Sequence, residues 1–445
     1  MSIDPLDLAT RVVAEARAAG ADEADATVTV AQRFSAEARD ATLAKLEQST
    51  ARALVLRVFT RGAKATLGTS DLSPGGLREL VREVVEASRF VAADPLGGLP
   101  EGLAGSAVTA DLGIDFEDVR ARTPEGKIED ARALERLTRA FDARIVNSGG
   151  SRVGDTSVTV ALANSHGFTG SYRATAVSRG TSPIARDGES KRVGSYGSAA
   201  RSYAGLETVE MVATLAARRA VESIGSRKPG TMTVPVIFER DVAAAVLGDL
   251  FGALSASSVS TGNSFFADKT GERVGSALAT IVDDGRLPGA LGSSPFDSEG
   301  VPTRRTVVID RGVLATYLYD TYYARKLGAA TTGNASGGGI GPNSFYLEAG
   351  TASLEEVIAA TPRGVLVTDT IGFATESVTG TYSRGARGFM IAGGEIAGPI
   401  DGFTIASNLL TMLAGIDLVA SDLRFDSSIV SPSFRVAEMT VSGTS

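Results

Sequence analysis

The chain has 445 residues, 43% of them apolar, and a formal net charge of −8 at pH 7. This length predicts two or three domains with sizeable cores, and an acidic balance without a long basic run argues against direct binding of nucleic acid. No stretch approaches the ~20 apolar residues of a membrane span, and the N-terminal MSIDPLDLATRVV lacks the basic region and apolar core of a signal peptide, which predicts a cytoplasmic protein.

Side chains that bind transition metals are scarce. The sequence has no cysteine, and His166 is its one histidine. The absence of cysteine excludes disulfides, thiolate zinc sites, iron–sulfur clusters and a cysteine nucleophile. His166 lies in an Asn-Ser-His-Gly segment between two alternating runs, and this pattern predicts a hairpin turn rather than a catalytic base.

The first half of the chain predicts two α+β units. Residues 1–92 predict a helix over 5–20, about four antiparallel strands with Arg61-Gly62 as a hairpin turn, and a second helix capped by Ser73. Residues 113–226 predict a middle antiparallel sheet with flanking helices. The intervening segment is rich in proline and glycine, as expected of an extended connection.

A short apolar run, TMTVPVIF, passes directly into a long pattern of small and apolar residues at 239–256. The run predicts a buried strand, and the three-and-four spacing of apolar residues after it predicts a central buried helix. Residues 230–445 then predict a mostly antiparallel β domain, a large sheet or open barrel, around that helix. The fold class is therefore α+β. The helix offers Glu239, Asp241 and Asp249 but no imidazole, so it predicts no metal site.

A glycine-rich segment at 333–347 matches neither a Walker A loop nor a dinucleotide-binding loop. It predicts a mobile loop beside a cleft, with backbone groups available to an extended peptide. The candidate peptide contacts are Asn334, Ser336, Gly338, Gly339, Asn343 and Tyr346.

Three stretches of this sequence resemble the TldD/PmbA family, also known as modulators of gyrase or microcin-processing proteins. They are LEQSTARALVLRVFTRGAKATLGTSDLSP, GNASGGGIGPNSFYLEAG and, most specifically, GFMIAGGEIAGPIDGFTIASNLLTML. The resemblance covers nearly the whole chain. It implies a two-subunit metallopeptidase in which one subunit, the TldD type, carries a His-Glu-x-x-x-His zinc helix and a further cysteine ligand.

The resemblance places Glu239, Arg240 and Ala244 where the catalytic subunit has its His, Glu and second His. This chain therefore resembles the TldE or PmbA type, which lacks the zinc ligands. The implied function is that of a non-catalytic subunit without a cofactor of its own. Its implied partners are a zinc-bearing relative, or a second copy of the chain, and unfolded peptide.

Two other hypotheses remain open at this point. The chain could be an enzyme that uses carboxylates or a hard metal ion, with Asp283-Asp284, Asp297 and Glu299, or Asp369 and Glu376, as acid, base or ligands. Asp-Asp-Gly-Arg and Asp-Ser-Glu-Gly, however, are typical of solvated turns. The chain could also regulate DNA topology, as the family name suggests, although its acidic charge argues against contact with DNA.

Overall fold

The structure is a computed structural model that describes residues 4–103, 105, 111–372 and 375–443. Its helices are α1 Pro5–Ala18, α2 Pro74–Ser88, α3 Glu117–Ala121, α4 Pro124–Ala140, α5 Val209–Glu222, α6 Arg240–Leu254, α7 Ala256–Ser260, α8 Thr321–Leu327, α9 Leu354–Ala359 and α10 Leu409–Ala414. None of these helices has both the length and the apolar character needed to cross a membrane, within the described residues.

The strands belong to three larger sheets and one small hairpin. Their bounds are β1 Glu23–Arg39, β2 Thr42–Thr60, β3 Ala63–Thr69, β4 Ile145–Asn164, β5 Thr169–Asp187, β6 Ser190–Val193, β7 Tyr196–Ala200, β8 Met232–Phe238, β9 Ile281–Asp284, β10 Arg305–Asp310, β11 Val313–Leu314, β12 Ala335–Ser336, β13 Gly339–Ile340, β14 Phe345–Leu347, β15 Arg363–Ile371, β16 Thr381–Ala392, β17 Glu395–Asn408, β18 Ile416–Val419, β19 Ile429–Val430 and β20 Phe434–Ser442.

The N-terminal sheet is antiparallel and has the order β3-β2-β1-β4-β5-β6, with β7 also paired to β5. Because β1 pairs with β4, one sheet continues across the two units that the sequence suggested, and that division stays a prediction. Three strands, β1 to β3, replace the predicted four, since β2 runs unbroken for 19 residues. The predicted turns at Arg61-Gly62 and around His166 are present.

All four long helices of this half cover the same face of the sheet. Ala24, Ala26 and Val28 of β1 pack in one core with α1 and α2, and Phe34 and Ala36 of the same strand pack in a second core with α4. Side chains alternate between the faces of a strand. Asp25 and Thr27 of β1, and Val55, Arg57 and Phe59 of β2, therefore point to the other face, which meets the C-terminal half.

The C-terminal half is mostly β structure around α6, as predicted. Pairing of β17 with β20 closes β8, β15, β16, β17 and β20 into a five-stranded barrel. A second sheet has the order β11-β10-β9-β14-β19. Val242, Val246 and Leu250 of α6 share one apolar core with residues of both sheets.

One face of α6 is not covered by the described residues. Ala245 and Gly252 are exposed, and a Cβ atom built on Gly248 or Gly252 meets no atom within 4 Å. The helix is thus buried along one side rather than on every side. The small residues of α6 predicted that neighbouring backbone would pack closely against it. On the exposed face, no described residue does so.

Candidate functional site

The three residues that the resemblance places at the zinc motif lie where β8 passes into α6, and their correspondence to that motif stays a prediction. Glu239 is the N-cap of α6, Arg240 is its first residue, and Ala244 is half-buried one turn further along. The Glu239 side chain makes no capping hydrogen bond. Its carboxylate forms an ion pair with Arg219 of α5 instead.

Burial raises the pKa of the Glu239 carboxyl, and the neighbouring Arg219 guanidinium partly offsets that effect. Arg219 also lies 3.3 Å from the carboxylate of Asp241, and its guanidinium is 5.1 Å from the centre of the Tyr196 ring. Arg219 therefore pairs with both carboxylates, Glu239 and Asp241, at this helix start.

Arg240 is held by a phenol. Its Nη2 donates a 2.8 Å hydrogen bond to the Tyr196 hydroxyl, and Arg424 donates a 2.7 Å bond to the same oxygen. Arg424 also binds Glu207 at 2.6 Å. A cavity of about 530 Å³ opens beside this network, lined by Tyr196, Arg219, Asp241 and Asp426 among others. We call it the motif cavity.

These residues do not fit a zinc ion. Zinc sites in proteins use thiolate, imidazole and carboxylate ligands that converge on one point. Here two of the three motif positions hold a guanidinium and a methyl group, and the remaining carboxylate is already ion-paired. Among residues 4–103, 105, 111–372 and 375–443, no three His, Cys, Asp or Glu side chains are grouped so that they could hold a metal ion.

The interpretation of Asp283-Asp284, and of Asp297 with Glu299, as parts of solvated turns is wrong. Asp283 is 0% exposed, Asp284 6%, Asp297 7% and Glu299 8%. The residue types of these segments are typical of exposed turns. A turn is nevertheless buried where a second segment of the chain covers it.

The remaining two carboxylates considered as catalytic groups, Asp369 and Glu376, are exposed. Asp369 lies 3.6 Å from Arg387, and Glu376 accepts a hydrogen bond from Thr379. Both carboxylates therefore have ordinary surface partners.

Asp283 fixes both ends of the glycine-rich loop. Its Oδ2 accepts hydrogen bonds from the side-chain amides of Asn334, at 2.7 Å, and Asn343, at 2.9 Å. Its Oδ1 accepts a third from the Asn343 backbone at 2.9 Å. Burial raises the pKa of Asp283 to about 6. The loop between the two asparagines forms the β12–β13 hairpin, with Ala335 opposite Ile340 and Ser336 opposite Gly339.

The hairpin tip borders two adjoining cavities under the face of the N-terminal sheet that meets the C-terminal half. The larger is about 530 Å³ and the smaller about 240 Å³. Both are lined by Thr27, Ser298, Ala335, Ser336 and Gly337. We call the two together the hairpin groove.

Buried charges line the hairpin groove. Arg57 donates to Asp25 at 2.7 Å and lies 3.4 Å from Glu299. Asp297 accepts hydrogen bonds from the backbone of Glu299, Val301 and Ala335. Burial, together with the nearby Glu299 carboxylate, raises the pKa of Asp297 to about 7.

The structure separates the six candidate peptide contacts into two sets. Ser336, Gly338 and Gly339 are exposed at the hairpin and line the larger cavity. Asn334 and Asn343 are buried and hold the base of the loop. Tyr346 is buried on β14 against Phe425. Peptide contact stays a prediction for all six.

Family models for two domains match this chain. The PmbA/TldA metallopeptidase central domain matches residues 117–224, and the PmbA/TldA metallopeptidase C-terminal domain matches residues 231–443. Metalloprotease PmbA of Escherichia coli O157:H7 is 32% identical over 98% of this chain and 96% of its own length.

The chain belongs to the PmbA/TldD metallopeptidase family. The resemblance inferred from the three sequence stretches is thereby confirmed.

Solved structures of the family share the whole fold. A Bacteroides thetaiotaomicron VPI-5482 protein named for modulation of DNA gyrase superposes with a TM-score of 0.92 at 26% identity, with 98% of each chain covered. TldE from Thermococcus kodakarensis superposes with a TM-score of 0.89 at 22% identity, with 97% of this chain and 99% of that one covered. The PmbA/TldD fold thus includes α1, α2 and the first three strands of the N-terminal sheet, which precede the two matched domains.

Sequence reasoning missed the partners that complete both sites. Tyr196, Arg219 and Arg424 meet the start of α6 from distant parts of the chain, and Asp25, Arg57 and Asp320 do the same in the hairpin groove. The alternation of β1 and β2 could have placed Asp25 and Arg57 on the face away from the helices. No local pattern pointed to the others.

Proposed function

We propose that this chain is the non-catalytic subunit of a zinc peptidase assembly. It pairs with a zinc-bearing relative and holds unfolded peptide in the hairpin groove. The observation that carries the proposal is the network at the start of α6, where Arg219 and Tyr196 bind the side chains at two of the three zinc-motif positions. With one histidine and no cysteine, the chain lacks the donors for hydrolytic zinc.

The open face of α6 supports pairing with another protein. A glycine inside a helix costs roughly 0.5–1 kcal/mol relative to alanine, and nothing in the described residues would obstruct a methyl group at Gly248 or Gly252. Close packing of a partner's backbone against this face would explain why glycine, rather than alanine, occupies both positions. The zinc-bearing relative is the partner that the family membership suggests.

The hairpin groove supports the peptide part of the proposal. The tip of β12–β13 exposes glycine backbone, and a Cβ atom on Gly337, Gly338 or Gly339 would meet nothing within 4 Å. An extended peptide binds such a backbone through main-chain hydrogen bonds, largely independent of its sequence. The adjoining cavities leave room for its side chains.

The test compares the chain alone with the chain mixed with a zinc-bearing relative. We expect a fluorogenic unstructured peptide to be cleaved only by the mixture, cleavage to stop on addition of a chelator, and native mass spectrometry to show a mixed complex. Cleavage by the lone chain that survives the chelator would contradict the proposal.

A groove variant separates peptide binding from pairing. Gly338→Trp places an indole at the open hairpin tip, so we expect weaker peptide binding with pairing unchanged. Gly230→Trp is the matched control, because Gly230 also has open space around its Cβ position but lies outside the groove. Equal loss of peptide binding in both variants would place the peptide elsewhere.

A further inference from the structure

Three buried carboxylates line the larger cavity of the hairpin groove. They are Asp25 of β1, Glu299 in the loop before β10, and Asp320, the N-cap of α8. Their exposed fractions are 5%, 8% and 8%. Charged side chains are seldom buried this far without a compensating charge.

One buried cation is shared among these acids. Arg57 forms ion pairs with Asp25 and Glu299, its side chain being 14% exposed. Lys64 also lines the cavity, and its positive charge acts to lower the pKa of Asp320 and of Asp25 against the larger effect of burial. The three buried carboxylates therefore outnumber the two cations, Arg57 and Lys64, that line the cavity.

Asp320 keeps one oxygen without a partner. Its Oδ1 accepts a 2.8 Å hydrogen bond from the Tyr323 backbone. Its Oδ2 accepts no hydrogen bond from any described residue, although the side chain is buried and lines the cavity. Oδ2 is not closed off from solvent and faces the open space of the cavity. A cationic donor that entered the cavity would form a charge-assisted hydrogen bond with this oxygen.

The rest of the larger cavity suits an aliphatic stem. Val55, Phe59, Val91, Tyr322 and Tyr323 line it. Lysine and arginine bury their methylene groups against such surfaces and place the charge at the end. An anionic or purely apolar side chain would leave Asp320 Oδ2 unpaired.

We propose that the hairpin groove selects peptide segments that carry a lysine or arginine side chain, with Asp320 as the residue that reads the charge. This inference rests on the proposed binding of peptide in the groove. It adds a substrate preference that main-chain pairing alone would not give.

The test uses three N-acetylated, C-amidated unstructured peptides that differ at one central position, which holds lysine, norleucine or glutamate. Binding is measured by fluorescence anisotropy on the whole chain. One charge-assisted contact corresponds to about tenfold in affinity, so we expect the lysine peptide to bind about tenfold tighter than the norleucine peptide. The glutamate peptide should bind most weakly.

Asp320→Asn removes the charge and keeps an acceptor for the Tyr323 backbone. It should lower the affinity for the lysine peptide roughly five- to tenfold and leave the norleucine peptide unchanged. Asp310→Asn, at an exposed hairpin turn outside the groove, is the matched control and should change neither. The comparison of peptides on the unaltered chain holds even if a variant folds poorly.

Each remaining outcome has one meaning. Equal affinity for all three peptides would overturn the inference and leave peptide binding standing. No binding of any peptide would overturn the proposed groove function and the inference with it. If a norleucine peptide with a free N-terminus bound as the lysine peptide should, while the acetylated lysine peptide did not, the groove would read the terminal amine and the side-chain preference would be wrong.

Discussion

The motif cavity and the larger cavity of the hairpin groove have similar volumes, but their charges are arranged differently. At the motif cavity, arginines and acids from α5, α6 and the loops alternate, so that Arg219, Arg240 and Arg424 each contact at least one acid. In the groove, Arg57 forms ion pairs with two of three buried acids, Asp25 and Glu299 but not Asp320. The charges of the first site are paired with one another, whereas the buried acids outnumber the cations at the second. Under the proposed function, ligand binding therefore lies away from the residues that the resemblance places at the zinc motif.

The largest effect we expect comes from the base of the hairpin. Asp283→Ala removes the acceptor of three hydrogen bonds. It leaves one side-chain N–H of Asn334, one of Asn343 and the Asn343 backbone N–H without an acceptor in the interior. We expect a loss of roughly 3 kcal/mol in the free energy of unfolding, measured by urea denaturation. Asp310→Ala, at an exposed turn, should change it by less than about 0.5 kcal/mol. If the two variants were equally stable, the hairpin would not depend on Asp283.

The pH dependence of the free energy of unfolding tests the burial of Asp297 in the hairpin groove. Because the pKa of Asp297 is raised to about 7 in the folded chain and is near 4 when unfolded, the folded state binds more protons between these values. Stability should therefore fall as the pH rises toward and through 7. From pH 5.5 to pH 8 the chain should lose about 2 kcal/mol more than Asp297→Asn does. Parallel slopes in urea denaturation would show that Asp297 does not titrate in this range.

The motif cavity should respond more weakly. Arg219→Ala leaves Glu239 partly buried without its counter-ion, and we expect a loss of roughly 1.5 kcal/mol, since both side chains keep some contact with solvent. Arg219→Met with Glu239→Gln should recover most of that loss. A double variant as unstable as the single one would mean that Arg219 acts through packing on Tyr196 rather than through charge.

The smallest effect has the opposite sign. Gly248→Ala should stabilise the lone chain by about 0.5–1 kcal/mol and yet weaken its complex with a zinc-bearing relative. Gly230→Ala is the control, and it should leave the complex unchanged. Melting temperature and the dissociation constant of the complex measure the two effects. Tighter pairing by Gly248→Ala would show that this face of α6 is not in the interface.

Local patterns in the sequence predicted the elements around the motif cavity but not their partners. The β8 strand and α6 follow from apolar spacing, and both lie within two residues of their predicted limits. The β1–β2 turn was missed because it uses Asp40 and Ala41 at positive φ instead of glycine or asparagine. Pairing of β17 with β20 has no local signature, which is why a closed barrel replaced the sheet or open barrel of the prediction.

The chemistry of the two sites was predictable to different degrees. The shortage of histidine and cysteine is a property of composition, so it could be recognised without knowledge of the fold. The burial of Asp283 and Asp297 depends on the hairpin that covers them, and the Arg219–Glu239 pair joins two helices. Contacts of this kind arise from tertiary packing between segments that are distant in the chain, and no local sequence pattern predicts them.

The position of β20 in the barrel sets the order in which the chain can be completed during synthesis. Strands β8, β17 and β18 can pair with β20 only after residues 434–442 have been synthesised. All strands of the N-terminal sheet, in contrast, are present once residue 200 has left the ribosome. Nascent chains therefore carry a finished first half beside an unclosed barrel with open strand edges. During that interval the second half is the part that needs protection from aggregation.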